Sequence, residues 1–296
     1  MKENYRDFPP LIDPITKENL NYISSENKEY MQSSDGSKFE ILNSIPRILY
    51  EDFDYTDAFG IQWNKWRRTQ LDSFTGTNIT RKRLTRCLGD KICENLNDTS
   101  KETHVLEVGC GAGRFTEVLL EYSVKLVSSD LSSAVDANVI NCPISPKHQV
   151  VQADVNKSPF GPNYDLVICL GVIQHTPNSE DTIKALYDSV KPGGSLVIDH
   201  YTHDLKRFTK LILLFRPIIK RLPAKQRMKF CESMVTIFLP IHKAIKDIPF
   251  AQMIFSRISP ITSYFHAYPE LSDELQREWA ILDTHDGLTD WNKRLR

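Results

Sequence analysis

Five short apolar runs recur between His104 and Tyr201: "HVLEVG", "VKLVSSD", "HQVVQAD", "YDLVICLG" and "SLVIDHY". Between them lie stretches with helical periodicity or turn residues. Runs this short, apolar on both faces, belong to strands of a parallel sheet covered by helices. Phe115, Val118, Leu119 and Tyr122 predict a helix after the first run. Ile183, Leu186 and Val190 predict another, which "KPGG" stops. The expected fold is α/β: a doubly wound, mostly parallel sheet with helices on both faces.

Directly behind the first run stands "LEVGCGAGRF", with three glycines in five positions. Gly109, Gly111 and Gly113 can take positive φ and let a ligand approach the backbone, and the following helix offers unpaired amides. Open α/β sheets bind ligands at the carboxyl ends of their strands, so a nucleotide-like cofactor is expected there. A dinucleotide fingerprint is G-x-G-x-x-G, whereas here the third glycine comes one position early. Glu107 before the loop would repel a pyrophosphate and suits a cationic group. Asp130 and Asp154 end the second and third runs. Three strand-end acids without a phosphate clamp point away from NAD.

These motifs together resemble those of the class I S-adenosylmethionine-dependent methyltransferases. "VLEVGCGAGRFT", "VSSDLSSAVDAN", "VVQADV" and "YDLVICLGVIQHTPNSEDTIKALYDSVKPGGSLVIDHY" match the family's motifs in order and spacing, over roughly His104 to Tyr201. The resemblance implies a Rossmann-like fold with S-adenosyl-L-methionine as cofactor. It places Gly109, Gly111 and Gly113 along the methionine part, Glu107 on the amino-group side, and Asp130 on the ribose hydroxyls. Asp154 and the Val155 amide would meet the adenine, and Leu170 and Gly171 would complete the pocket. Methyl transfer to a small-molecule acceptor follows, with a sugar or secondary-metabolite hydroxyl as the expected class. A cofactor-pocket protein without catalysis and an NAD-dependent oxidoreductase are the alternatives.

Four segments follow from this reading. Residues 1–50 form a small polar module, with a short hairpin expected in "GSKFEILNSIPRILY". The module resembles the zinc-ribbon-like segment ahead of some bacterial methyltransferases, but Ser44 replaces a glycine and Asp13, Pro14, Ile15 and Thr16 stand where a CPxC knuckle would lie. No zinc is expected. Residues 51–98 form a helical lead-in, in which Gln62, Trp63, Trp66 and Gln70 build either a lid or core. The basic run "RKRLTR" reads as a solvated helix face. Residues 99–201 carry the cofactor-binding core.

Residues 202–296 form a helical insertion that covers the acceptor, with stripes at Leu205, Phe208, Leu211, Ile212, Phe215 and at Met234, Ile237, Phe238, Ile241. Residues 283–296 resemble the approach to the family's last two strands, so a truncated chain, or a sheet completed by another chain, is expected. His175 could deprotonate an acceptor hydroxyl or simply shape the pocket. His200 and His203 with Asp199 are too weak a signal for a metal.

The balance of 37 Lys+Arg against 38 Asp+Glu gives no bias toward nucleic acid. Six scattered cysteines without a CxxC pair fit reduced thiols and a cytoplasmic address. The apolar "LILLFRPIIK" is too short to cross a bilayer, so no stable membrane insertion is expected. The oligomeric state is open.

Overall fold

A computed structural model describes residues 7–25, 27–50, 57–200, 217, 219 and 221–287. Its centre is a parallel sheet of β5 (His104–Val108), β6 (Lys125–Asp130), β7 (His148–Ala153), β8 (Tyr164–Cys169) and β9 (Val190–Ile198). Their order is β7-β6-β5-β8-β9, so the strand order reverses at β5. All five apolar runs became strands.

Alternate residues of these strands serve opposite faces. Leu106, Val127 and Val167 face one side, packed with Leu186 of α7 (Ser179–Asp188). Val105, Leu126, Leu166 and Ile168 face the other. They meet Leu84 and Leu88 of α3 (Ile79–Leu88), Leu96 of α4 (Asp90–Asn97), and Val118 and Leu119 of α5 (Thr116–Leu119). The sheet is thus covered on both faces, each fully buried aliphatic side chain contributing about 1.5–3 kcal/mol.

The N-terminal strands are continuous with this sheet. β1 (Asn21–Ser25), β2 (Lys28–Gln32), β3 (Lys38–Leu42) and β4 (Ile45–Ile48) form an antiparallel meander, and β4 then pairs parallel with β7. Arg47 fixes that junction by donating to Gln152 at 2.8 Å and to Asp136 at 2.6 Å. Asn43 and Ser44, both at positive φ, make the expected hairpin turn between β3 and β4. At the knuckle position, buried Asp13 accepts from the amides of Ile15 and Thr16 and from the Tyr50 hydroxyl. Burial pushes this carboxyl up, but those hydrogen bonds outweigh it and hold Asp13 below its ordinary range.

The lead-in folds as α1 (Asp57–Lys65), α2 (Asp72–Thr75), α3 and α4, with Gly89 at φ 72° separating the last two. Between β6 and β7 runs α6 (Ala134–Asn141). Beyond the sheet come α8 (Ala224–Ala244), α9 (Pro249–Ile258) and α10 (Asp273–Asp286).

Several expectations are corrected. The helix after β5 is a single turn, because Leu120 to Val124 already turn back toward β6, and Tyr122 lies outside it. Val190 begins β9, and "KPGG" lies inside that strand at a register shift rather than ending a helix. In the α8 stripe, Ile237 and Ile241 are exposed while Val235 and Leu239 are buried, because α8 packs against α10 and α1 through a rotated face. Residues 283–286, expected to approach a strand hairpin, close helix α10. Leu205, Phe208, Leu211, Ile212, Phe215 and His203 lie outside the described residues.

Candidate active site

A cavity of about 510 Å³ opens over the carboxyl ends of the parallel strands. Its floor is the turn after β5. Gly109, Gly111 and Gly113 have φ of 77°, 50° and 96°. A Cβ on Gly109 would stand 2.1 Å from a methyl carbon of Val172; one on Gly111 would only touch the Trp63 indole at 3.5 Å, so there it is the positive φ that favours glycine. Gly109 and Gly111 line the cavity, whereas Gly113 sits behind them against Cys142.

The acids at the strand ends converge on this floor. Asp130 lines the cavity and accepts from the Gly111 amide at 2.9 Å and from the Ser132 amide and hydroxyl at 2.8 and 2.7 Å. Burial raises its pKa, and these hydrogen bonds oppose the rise. Asp154 caps the following 3₁₀ turn by accepting from the Asn156 amide at 2.9 Å, with Val155 beside it in the wall. Leu170 and Gly171 line the opposite side, and the Gly171 amide donates to Asp199 at the end of β9.

Glu107 lies beneath the loop and does not line the cavity. One oxygen accepts from Thr116 at 2.6 Å and Ser128 at 3.1 Å, while buried Oε1 has no hydrogen-bond partner among the described residues. Burial pushes this carboxyl up to about 7.

Further walls come from the helical lead-in. Arg83, taken as part of a solvated face, points into the cavity and pairs with Asp199 at 2.6 Å; Arg86 also lines it. Arg83 follows Ile79 by one helical turn, which places it at the border of the buried stripe Ile79, Thr80, Leu84 and Leu88. Trp63 and Gln70 reach the cavity, but Trp66 belongs to the core beneath α8 and α10, and Gln62 is buried against α10. The residues first considered as a lid therefore divide between wall and core.

Helix α10 forms the outer wall. Ser272 caps it by accepting from the Leu275 amide, and Asp273 and Glu274 favour its N-terminus. Trp279 meets the rings of Tyr264 and Tyr268 edge to face and donates to the Thr69 carbonyl at 3.0 Å. The Arg114 guanidinium lies 5.3 Å from the Trp279 ring and donates to Gln70 and Thr80. Burial, with Arg83 nearby, pulls Arg114 down to about 10, so it stays cationic at neutral pH.

At the end of α10, Asp283 and Asp286 line the cavity near His175. His175 closes the 3₁₀ turn Ile173–His175 with its ring 5.3 Å from Phe59, and Phe59 also meets His285 at 6.1 Å. Burial, then the charges of Arg227 and His175, pull His285 down to about 3, so its imidazole is neutral and its 4.0 Å approach to Asp286 is not an ion pair. Burial, with Asp283 nearby, pushes Asp286 up to about 8, against the hydrogen bond it accepts from Gln62 at 3.2 Å. A carboxyl that changes protonation near neutrality inside a cavity can take up a proton. No sequence motif marked it.

His200 lines the cavity beside Asp199. Among the described residues no group of three or more His, Cys, Asp or Glu is placed to hold a metal ion, and no helix is long and apolar enough to cross a membrane.

Residues 80–233, just over half of the chain, match a family model described as "Methyltransferase domain". The ubiquinone biosynthesis O-methyltransferase of Pseudomonas fluorescens is 26% identical over 136 residues, covering 45% of this chain and 58% of that protein. Its counterpart in Shewanella halifaxensis is 25% identical over 123 residues, covering 40% and 52%. The chain thus spans about half the length of the curated relatives it matches. A solved SAM-dependent methyltransferase from Aquifex aeolicus is 20% identical with a TM-score of 0.37, covering 52% of this chain and 76% of that one.

Proposed function

We propose, from the premise that this chain belongs to the methyltransferase-domain family of class I S-adenosylmethionine-dependent enzymes, that it transfers a methyl group to a hydroxyl of a small-molecule acceptor. The carrying observation is the convergence of the Gly109–Gly113 turn, Asp130 and Asp154 on one cavity at the strand ends.

The residues fit the cofactor. The glycine turn leaves room where a Cβ would collide or strain, and Glu107 Oε1 is a buried, unpartnered acceptor behind it. In this reading the turn holds the methionine part, with the ionised Glu107 favouring the amino group through the field it sets beneath the loop. Arg83, presented by α3, offers a guanidinium to the carboxylate. Asp130 presents a carboxylate at the cavity edge, the acceptor that ribose hydroxyls require. Asp154 and the Val155 amide serve the adenine edge, and Leu170 and Gly171 close the pocket.

Bound S-adenosylmethionine supplies a methyl activated by the sulfonium. What remains for the protein is to align the acceptor, exclude water and take its proton. Phe59, Trp63, Tyr264 and Trp279 present apolar surface against water. His175 and Asp286 are the two candidate bases at that end. The O-methyltransferase relatives support an oxygen acceptor.

The test is calorimetric titration of S-adenosylhomocysteine into wild type and Asp130→Ala, with NAD as control. Binding that collapses in the variant is expected. Heat from NAD but none from S-adenosylhomocysteine would overturn the reading.

A further inference from the structure

Seven of the twelve large apolar side chains that stand exposed among the described residues fall within residues 237–258: Ile237, Ile241, Ile248, Phe250, Met253, Ile254 and Ile258. Scattered exposed hydrophobes are ordinary, but a concentration of this kind marks an interaction surface. Helix α9 has no buried residue. Its inner side is held by Phe255, which stacks on Phe238 and meets the His242 ring at 4.8 Å, and by Gln252 bonded to His242. On its outer side Phe250, Ile254 and Ile258 recur one turn apart, so they form one stripe.

Charge identifies the occupant. Within residues 221–258, Arg227 is buried and Lys243 pairs with Asp273, while Glu232 pairs with Lys65; this leaves Arg221, Lys225, Lys229, Lys246 and Arg257 exposed against exposed Asp247, five cations to one anion in a chain whose formal net charge is −1. Of these, Lys246 and Arg257 are exposed beside the apolar stripe. An apolar helix face flanked by cations is the chemistry that lies in the interface of an anionic bilayer, its hydrophobes among the acyl chains and its cations at the phosphates. We infer that the outer face of α8 and α9 docks this protein peripherally on an anionic phospholipid surface. The contact is interfacial, since no described helix can span the bilayer.

Docking stands independently of methyl transfer. The full chain is sedimented with sucrose-loaded vesicles of phosphatidylcholine alone and of phosphatidylcholine with phosphatidylglycerol. Binding to the mixed vesicles, weakened by added salt, is expected. Phe250→Ser with Ile254→Ser should lower partition by roughly tenfold per side chain, and Lys246→Gln with Arg257→Gln by about fivefold per charge. These side chains are exposed, so both variants should keep the wild-type melting temperature and S-adenosylhomocysteine affinity, which separates loss of docking from loss of fold or of cofactor binding. Wild type left in the supernatant, or partition unchanged in both variants, overturns the inference. So does a concentration-dependent dimer that disappears with Phe250→Ser and Ile254→Ser, because the face would then be covered by a second copy.

Discussion

Replacing Glu107 by Gln should change how stability depends on pH. Burial moves this carboxyl from its ordinary 4.5 to about 7. Its ionised form is therefore ~3 kcal/mol less compatible with the folded state than with the unfolded chain. Below pH 4.5 the group is protonated in both states and contributes nothing to the difference. From 4.5 to 7 the unfolded chain releases the proton while the folded one keeps it, so stability is lost as pH rises; above 7 the loss is complete. Gln removes that dependence but places an amide where Oε1 lacks a partner, adding a pH-independent cost of about 1–3 kcal/mol. The informative quantity is the change with pH in the difference between the two proteins, measured by urea unfolding at pH 5 and pH 8. Relative to Glu107→Gln, wild type should lose about 2.5 kcal/mol between those values, the remainder having been lost below pH 5. Saturating S-adenosylhomocysteine, whose ammonium offsets the buried charge, should reduce the loss in wild type alone. Parallel stability curves would refute the reasoning, because they would mean that Glu107 is ionised at no cost in the folded chain.

Gly109→Ala forces a side chain onto φ 77° and 2.1 Å from Val172, so a loss of roughly 2–4 kcal/mol is expected by denaturant unfolding, partly restored by Val172→Ala. A melting temperature equal to that of wild type would contradict it. Ser44→Gly should stabilise by up to about 1 kcal/mol, since Ser44 holds φ 64° in the β3–β4 turn; a destabilised variant would show that the serine does more there than turn the chain. With the acceptor that a screen returns, wild-type methyl transfer should rise with pH through about 8 as Asp286 deprotonates, and Asp286→Asn should remove that limb at unchanged S-adenosylhomocysteine affinity. A limb retained in Asp286→Asn and lost in His175→Ala would assign the proton to His175 instead.

The floor of the site was legible because each strand is a compact apolar run that stops at a glycine or an acid, and the sheet brings those stops to one edge. Asp130 and Asp154 could be placed from those stops alone, and Leu170 through the family resemblance. The walls were harder to read, since they depend on which way a helix is rotated. Arg83 in a basic run looks solvated until its phase with Ile79 and Leu84 is counted. Helix α10 announces itself by Ser272, Asp273 and Glu274 at its start, yet residues 283–286 were read through the family's usual strand pair, and the resemblance outweighed the local signal. Asp286 was missed for that reason. The junction of β4 with β7 left no trace, because two parallel residue pairs and one arginine carry it.

The bond between Gln62 and Asp286 joins positions 224 residues apart, and that between Trp279 and Thr69 spans 210. Most of the sheet is built from neighbours in the chain, so the floor can assemble early, whereas the outer wall must wait for the slowest loop to close. During synthesis the cofactor-binding half would exist well before α10 leaves the ribosome. A nascent chain arrested after β9 should therefore offer a cofactor cradle that is open to water, and the growing protein would acquire its capacity to react only when the two distant segments meet.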